Sequence, residues 1–232
     1  MKKIGLVGGL SFVSTLEYYR LINELVRAEF GGHSSARIVV ESLDEKEFLD
    51  KQRDDPSEKA CEDMIVNAVG NLLNAGAEVI ALCANGLHRF EAAIKKAHGI
   101  ELVNIAEATA SVLYEQNITQ AGLLGVQATM EGIFYKKQLL NNGITSVIPK
   151  ISARNYVHEK IISELVLGTF TEETKKEFFT VIEQLINNGA QGIILGCTEI
   201  PLLVTESFWQ GIPLFSTTKI HCEAIVDIAL QA

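Results

Sequence analysis

The chain has 232 residues, 47% of them hydrophobic and 21% charged, which is sufficient for one large hydrophobic core or two smaller ones. Its formal net charge of −9 argues against a binding surface for nucleic acid or anionic membranes. No apolar run reaches the roughly 18 residues that a membrane span needs. We therefore expect a globular protein of one or two domains, with neither nucleic acid nor membrane as a partner.

Cysteine usage indicates a reducing compartment. The four cysteines have no C-x-x-C spacing, and the five histidines share no metal-ligand spacing with them. The N-terminal apolar stretch is very short and is interrupted by two glycines, so we interpret it as a first β-strand rather than a secretory signal. These features predict a cytoplasmic protein without a disulfide framework and without a metal site.

Short β-branched runs alternate with longer amphipathic segments along the chain. The strands are expected at 3–7, 37–41, 79–83, 101–105, 120–124, 145–148, 192–195 and 212–215. The helices are expected near 15–28, 57–75, 87–97, 106–115, 130–141, 155–167, 172–188 and 218–230. This alternation predicts an α/β fold of parallel sheets covered by helices on both faces.

An internal repeat suggests that the fold is duplicated. Residues 73–84 (LNAGAEVIALCA) match residues 186–197 (INNGAQGIILGC) at an offset of 113, and Gly5–Gly8 match Gly122–Gly125 at an offset of 117. The alternative is a chance similarity between two Gly-Ala turns before buried strands. We predict two pseudo-symmetric domains, each a mainly parallel four-stranded sheet flanked by helices. They would comprise residues 1–116 and 117–216, with the last helix, 217–232, packing on the first.

Ligands of open parallel sheets bind at the carboxyl ends of the strands. Cys197 lies at such an end, where a following helix N-terminus would lower its pKa and favour a thiolate base or nucleophile. The alternative is a small buried core cysteine. The repeat aligns Ala84 with Cys197 and Asn85 with Thr198. Because neighbouring strand residues point to opposite faces, Cys83 should face away from the ligand.

Two further loops offer polar groups for a ligand. The glycine turn before the first helix, which contains Ser11, would present amides and hydroxyls to an anion, and Thr129 occupies a comparable place in the second half. Both could instead be an ordinary turn and an ordinary helix cap. Gln52 lies in a polar stretch, 44–55, expected to be a surface loop or lid. Arg53 and Arg154 are candidate cations, or simply solvated surface charges.

The glycine turn at 4–11, the Gly122–Gly125 turn with Thr129, and above all residues 194–203 (ILGCTEIPLL) resemble the aspartate/glutamate racemase superfamily, in its aspartate-racemase branch. The resemblance covers the whole chain. It implies a two-domain fold with the active site in the interdomain cleft, no pyridoxal phosphate or metal, and a homodimer. It also implies two cysteines, one from each domain, that exchange the substrate α-proton across its plane.

Residue by residue, the resemblance makes Cys197 the second-domain catalytic cysteine and Thr198 a contact to the substrate carboxylate. Asn85, Thr129 and Gln52 match further substrate-contacting positions. Ala84 stands where the first cysteine belongs, and Gly86 replaces a usual threonine. The candidate site is therefore catalytic Cys197 with a substrate-binding set that consists of Ser11, Gln52, Ala84, Asn85, Gly86, Thr129 and Thr198. The chain is identified as a divergent member that lacks the first catalytic cysteine.

The expected function follows from these residues. The first hypothesis is a cofactor-independent isomerase, a racemase that acts on a small carboxylate such as aspartate or glutamate through a cysteine acid/base. A second is a decarboxylase-like enzyme in which one thiol protonates a carbanion. A third is a catalytically inactive protein that binds a small anion. Because Ala84 has no exchangeable proton, a two-cysteine mechanism would need a substitute such as Cys83, His88 or an ordered water.

Overall fold

The structure, a computed structural model, describes residues 1–231. Its strands are β1 (Ile4–Gly8), β2 (Ile38–Ser42), β3 (Val79–Leu82), β4 (Gln120–Leu124), β5 (Thr145–Val147), β6 (Gly192–Leu195), β7 (Phe208–Trp209) and β8 (Ile212–Ser216). Its α-helices are α1 (Phe12–Phe30), α2 (Glu45–Asp54), α3 (Lys59–Asn74), α4 (Glu91–His98), α5 (Ile105–Glu115), α6 (Gln127–Glu131), α7 (Ile133–Asn141), α8 (Ile151–Ser163), α9 (Glu172–Asn187), α10 (Ile200–Leu203) and α11 (Thr217–Leu230). Two 3₁₀ helices span Asn85–Phe90 and Leu165–Leu167.

The chain divides into two compact units, and the first consists of Met1–Asn104 with the residues from His221 onward. Its sheet has the order β2-β1-β3 and is parallel throughout. Alternate residues of β1 enter separate cores: Leu6 packs in a cluster with residues of α1 and α11, whereas Val7 packs in a cluster with residues of α3. The sheet is therefore covered by helices on both faces, as the alternating pattern predicts.

The second unit, Ile105–Ile220, contains a sheet of the order β5-β4-β6-β8-β7. Strands β5, β4, β6 and β8 are parallel, and the two-residue strand β7 pairs antiparallel with β8. The sheet contributes to two cores: Ile193 packs in one with residues of α8 and α9, and Ile194 packs in the other with residues of α5 and α7. The second unit is thus an α/β layer structure of the same kind as the first.

The internal repeat corresponds to a repeated structural unit. After α3 the amide of Gly76 donates to Leu73 O (2.9 Å), and after α9 the amide of Gly189 donates to Ile186 O (2.9 Å). Both glycines have positive φ angles, +79° and +94°, which favour glycine at this helix end. Each turn then leads into a buried strand that pairs in parallel with the first strand of its unit, β3 with β1 and β6 with β4. The repeat therefore encodes the same helix–turn–strand segment in both units.

The prediction of four strands in each sheet is wrong: the first sheet has three, and the second has the four predicted strands and the two-residue β7. Residues 101–105 form no strand, although the amide of Val103 donates to Ile80 O of β3 (3.1 Å). The carbonyl of Val103 accepts a hydrogen bond from His221 Nε2 (2.6 Å). This carbonyl is therefore bonded to a side chain and not to the backbone of a neighbouring strand. The predicted domain boundary at 116/117 also moves, to 104/105. Helix α5 joins the second unit because its apolar residues share a core with Ala121 and Leu123 of β4.

Two local predictions need correction as well. The stretch 44–55, expected to be a loop or lid, forms α2, which begins after Asp44 because that side chain caps Lys46 N (2.9 Å). The predicted helix at 130–141 is divided into α6 and α7 around Gly132. No helix within residues 1–231 is both long enough and apolar enough to cross a bilayer.

Candidate active site

In the first unit, the glycine turn after β1 is held together by its own hydroxyl groups. Thr15 Oγ1 accepts from Gly9 N (2.8 Å) and donates to Ser11 O (3.0 Å). Ser11 is buried at the N-cap of α1, where its hydroxyl faces the amide of Ser14 (3.5 Å). Ser14 Oγ in turn donates to Cys83 O (2.7 Å), which ties the turn to the end of β3. The hydroxyls that the sequence offers to an anion thus take part in organising this turn.

The end of β3 separates two neighbouring side chains as strand alternation predicts. Cys83 is 1% exposed and packs in the core cluster that contains Cys222 of α11. Burial raises the pKa of the Cys83 thiol. Ala84 is half-buried and packs against the other core cluster, with Leu82. Cys83 is therefore a core thiol and does not lie on the face that Ala84 occupies.

A polar network surrounds the residues that follow Ala84. Arg89 binds Glu58 with two nitrogens, Nε to Oε2 (2.9 Å) and Nη2 to Oε1 (2.7 Å), and donates through Nη1 to Gly86 O (2.5 Å). Gln52 of α2 donates to the same Glu58 carboxylate (2.8 Å). Hydrogen bonding from Arg89 lowers the pKa of Glu58 against the opposing effect of its partial burial. Two predicted site residues, Gln52 and Gly86, are therefore connected through the Arg89–Glu58 ion pair. Asn85, which precedes Gly86, is buried.

The histidines of the first unit's interior are His88 and His221. The ring of His221 donates through Nε2 to Val103 O (2.6 Å), so its Nδ1 accepts from the Tyr18 hydroxyl (2.8 Å). His88 packs edge-on against His221, with ring centroids 5.4 Å apart. Burial lowers the pKa of His221 to about 4, and burial followed by the proximity of His221 lowers the pKa of His88. Both rings are therefore neutral and packed inside, which does not favour His88 as a substitute catalytic acid.

In the second unit, the turn after β6 brings a thiol, a hydroxyl and a carboxylate together. Cys197 is 9% exposed and follows Gly196 at the end of the strand. Its Sγ donates to Glu199 Oε2 (3.0 Å), and Thr198 Oγ1 donates to the same oxygen (2.9 Å). Glu199 is 2% exposed, so this carboxylate is as buried as the groups that donate to it. The sequence prediction included Cys197 and Thr198 but missed Glu199.

The electrostatics of this turn correct the expectation of a thiolate. Burial, then the negative charge of Glu199 and the hydrogen bond to it, raise the pKa of Cys197 well above its ordinary value. The backbone amides of Glu199 and Thr198 act in the opposite direction but do not prevail. Helix α10, which follows, has only four residues and supplies little dipole. Cys197 is therefore a protonated thiol at neutral pH.

Three threonines of the second unit surround this turn. Thr218 Oγ1 donates to Thr198 O (3.4 Å), and Thr217 Oγ1 donates to Leu195 O (2.9 Å), so the first turn of α11 fixes the end of β6. Thr129 is fully buried, and its methyl group would lie 3.3 Å from a Cβ added at Gly196. The Thr129 hydroxyl has no hydrogen-bond partner among the described residues. This places a free buried hydroxyl next to the strand end that carries Cys197.

The two arginines that the sequence offers as candidate cations, or as solvated surface charges, have different surroundings. Arg53 is a surface residue of α2 that pairs with Asp50 (3.1 Å) and Asp54 (2.9 Å). Arg154 lies 3.5 Å from Glu131 in the second unit. The cation that contacts a predicted site residue is Arg89, and no local pattern singles it out, because its partner Glu58 is 31 residues away. Within residues 1–231 no three His, Cys, Asp or Glu side chains are grouped to hold a metal ion.

Comparison with known proteins gives a consistent result across the whole chain. The family model described as Asp/Glu/Hydantoin racemase matches residues 7–225. A protein from Yersinia pestis assigned as an Asp/Glu racemase has a crystal structure with 41% identity and a TM-score of 0.89, over 100% of both chains. An aspartate racemase homologue from Pyrococcus horikoshii has 29% identity and a TM-score of 0.83, also over 100% of both chains. A broad specificity amino-acid racemase from Bacillus subtilis is 23% identical over 98% of both chains.

Proposed function

Because this chain belongs to the Asp/Glu/Hydantoin racemase family, we propose that it is a cofactor-independent enzyme that exchanges the α-proton of a small carboxylate such as aspartate or glutamate. Cys197 is the acid/base of this proposal. The observation that carries it is the turn after β6, where the Cys197 thiol and the Thr198 hydroxyl converge on one buried carboxylate oxygen. The free hydroxyl of Thr129 beside Gly196 supplies a donor for the substrate.

The chemistry requires a proton donor and acceptor that is close to the substrate Cα, and donors that stabilise the developing enolate. Cys197 provides the first, and the hydroxyls of Thr129 and Thr198 are candidates for the second. The family resemblance assigns the opposite face of the substrate to the position of Ala84, which has no proton to exchange. We therefore expect proton exchange at Cα to be faster than inversion of configuration.

Incubation with candidate L- and D-amino acids in deuterated water tests this proposal. We expect α-deuterium to appear in at least one small acidic amino acid, as measured by mass spectrometry, and Cys197→Ser to abolish it. Cys61→Ser is the matched control, because Cys61 is a core thiol that donates to Phe48 O (3.6 Å) in the first unit. No deuterium incorporation across a broad panel of acidic and neutral amino acids would overturn the proposal.

A second candidate function is favoured by the protonation state of Cys197. A decarboxylase needs one thiol that protonates a carbanion after carbon dioxide leaves, and a protonated Cys197 without a second thiol at Ala84 meets that need. Release of carbon dioxide from substituted malonates, lost in Cys197→Ser, would support this function. Absence of release from aryl- and alkyl-malonates, combined with deuterium exchange into amino acids, would reject it.

The family resemblance also supports a homodimer, and the four free cysteines support a reducing, cytoplasmic location. The exposed apolar side chains Phe12 and Leu16, one turn apart on α1, are available for subunit contact. Sedimentation of the purified protein at micromolar concentration tests the dimer. A mass equal to one chain, with activity intact, would overturn it.

A further inference from the structure

We infer that Glu199 is a positioning residue that holds the exchangeable proton of Cys197. This role rests on the proposed function, and it is argued from three side chains of one turn. Cys197 Sγ donates to Glu199 Oε2 at 3.0 Å, and Thr198 Oγ1 donates to the same oxygen at 2.9 Å. All three residues are more than nine-tenths buried. Two donors on one oxygen fix its position, and the thiol hydrogen is directed along the line between sulfur and oxygen.

The hydrogen bond gives the Cys197–Glu199 pair two protonation states. In one state the proton is on sulfur and the Glu199 carboxylate is ionised. In the other the proton has moved to Oε2, which leaves a thiolate beside a neutral carboxylic acid. A thiolate formed in this way can take the substrate α-proton, which makes a new S–H bond and breaks the C–H bond, while Glu199 keeps the earlier thiol proton. The reverse sequence delivers a proton to a carbanion, so the protons balance in both directions.

The surroundings of the turn favour exchange of this proton between Cys197 and Glu199. Cys197 belongs to a core cluster with apolar neighbours such as Leu195 and Ile200, which offer no competing acceptor. Of the charged groups on adjacent elements, Glu131 of α6 pairs with Arg154 at 3.5 Å and Lys219 of α11 is exposed. The carboxylate of Glu199 is therefore the charge that acts directly on the Cys197 thiol. A buried donor and acceptor at this distance interact more strongly than they would in water.

The rate of alkylation of Cys197 as a function of pH tests this role without the need for turnover. The probe is iodoacetamide, and the labelled peptide is quantified by mass spectrometry with Cys197→Ser as the blank. In the wild-type protein we expect half-maximal reactivity above pH 9.0, the ordinary value for a thiol. Glu199→Gln removes the charge but retains a side-chain oxygen as an acceptor, so the thiol pKa should fall and alkylation at about pH 8 should become about ten times faster.

Two further variants define what the charge contributes. Thr198→Val removes the second donor but leaves the carboxylate, so its alkylation profile should shift less than that of Glu199→Gln. Glu206→Gln is the matched control, because Glu206 is a carboxylate of the same unit that pairs with Lys175 (2.8 Å). We expect its profile to equal that of the wild-type protein.

An unchanged profile in folded Glu199→Gln would overturn the inference. If that variant does not fold, the alkylation profile of the wild-type protein is sufficient to test the inference. Half-maximal reactivity of Cys197 below about pH 8 would show that Glu199 does not stabilise the protonated thiol. The outcome is separate from that of the proposed function. A shifted profile without deuterium exchange into any amino acid would keep the thiol–carboxylate pair and reject the enzyme activity.

Discussion

The ends of β3 and β6 differ chemically although they terminate the same repeated segment. At the offset of 113, Ala84, Asn85 and Gly86 of the first unit correspond to Cys197, Thr198 and Glu199 of the second. The first copy therefore lacks both the thiol and the carboxylate that interact in the second copy. The two copies share the helix, the glycine turn and the buried strand, whereas the thiol–carboxylate contact occurs in one copy.

The charged group in direct contact with the turn differs in sign between these two strand ends. The first turn is tied to a cation, since Arg89 donates to Gly86 O, and Glu58 neutralises that cation. The second turn has a carboxylate beside the thiol. A cysteine at each position would therefore experience a different field, and the environments would move the two pKa values apart.

Under the proposed function, introducing a thiol with Ala84→Cys should have the largest effect on activity. The backbone at Ala84 is extended (φ −151°, ψ 135°) and the side chain is half-buried, so a cysteine can be accommodated. Since one positioned acid or base contributes about 10²- to 10⁴-fold, we expect inversion of aspartate or glutamate to rise at least about 100-fold. Chiral chromatography measures the inversion, and Ala84→Ser is the control of similar size.

A folded Ala84→Cys protein with an unchanged rate of inversion would show that other substitutions in the site prevent racemisation. It would also weaken the assignment of Ala84 to the opposite face of the substrate. If neither this variant nor the wild-type protein exchanges α-deuterium, but an acidic amino acid raises the thermal stability of both the wild-type and Cys197→Ala proteins, the chain is an anion-binding protein.

Both units pack a threonine tightly over a glycine, which allows a direct comparison of stability. A Cβ at Gly8 would lie 2.4 Å from Thr15 Cγ2, and a Cβ at Gly196 would lie 2.6 Å from Leu124 O and 3.3 Å from Thr129 Cγ2. We expect Gly8→Ala and Gly196→Ala each to lower the free energy of unfolding by about 2–3 kcal/mol. Gly196→Ala should cost more, because a backbone carbonyl cannot rotate away as a side chain can.

Urea denaturation monitored by circular dichroism measures these losses. The control is Ala75→Gly, a mild change at the end of α3. Gly143→Ala is less suitable, because the positive φ of Gly143 (+72°) would itself add strain. A loss of less than about 0.5 kcal/mol in Gly196→Ala, the range of an ordinary surface substitution, would mean that the end of β6 can adjust. The position of Cys197 would then be less fixed than the contacts indicate.

The sequence predicted the repeated features best. Strands β4 and β6 were predicted with the bounds that the structure has, since each is a short apolar run between clear helix and turn signals. The opposite orientations of Cys83 and Ala84 follow from strand alternation alone. Residues 101–105 have the composition of a strand, but their carbonyl contact to His221 comes from a helix 118 residues after Val103, which no local pattern can indicate.

The site was predicted in part for a similar reason. Cys197 and Thr198 are identified by their position at a strand end and by the resemblance, whereas Glu199 was passed over as part of a turn. The thiol pKa was predicted in the wrong direction because a helix N-terminus was expected to dominate, and burial beside a carboxylate outweighs the dipole of a four-residue helix. Arg89 was missed because its role depends on Glu58, which is close only in the folded chain.

The buried histidines make the first unit sensitive to acid. In the unfolded chain a histidine has a pKa near 6.5, whereas burial lowers the pKa of His221 to about 4 and also lowers that of His88. The unfolded state therefore binds more protons below pH 6.5. The stabilisation is fully present above that pH and is lost progressively as the pH falls towards about 4, by up to about 1.4 kcal/mol per pH unit for each histidine.

Hydrogen exchange by mass spectrometry, corrected for the intrinsic effect of pH, distinguishes the units. Peptides from α1 and α11 should lose protection between about pH 6.5 and about pH 5 before peptides from β6, because the described histidine of the second unit, His158, is not fully buried. Equal loss in both units would contradict the comparison. His33→Gln, at an exposed position, should leave the difference unchanged.

The smallest effect is expected from the ion pair beside Ala84. Arg89 and Glu58 are partly exposed, with 19% and 33% of their side chains accessible, so solvent screens much of their attraction. Arg89→Lys retains the charge but loses the bidentate interaction with Glu58 and the hydrogen bond to Gly86 O. We expect it to lower the free energy of unfolding by about 1 kcal/mol, as measured by urea denaturation.

The same substitution also tests the electrostatic contrast between the two strand ends. In an Ala84→Cys background, Arg89→Lys should raise the pH midpoint for alkylation of the introduced thiol, because a guanidinium held near the turn favours a thiolate. Glu199→Gln lowers the corresponding midpoint for Cys197, so shifts of opposite direction are expected at the ends of β3 and β6. Shifts in the same direction would show that the two turns do not have opposite electrostatic character.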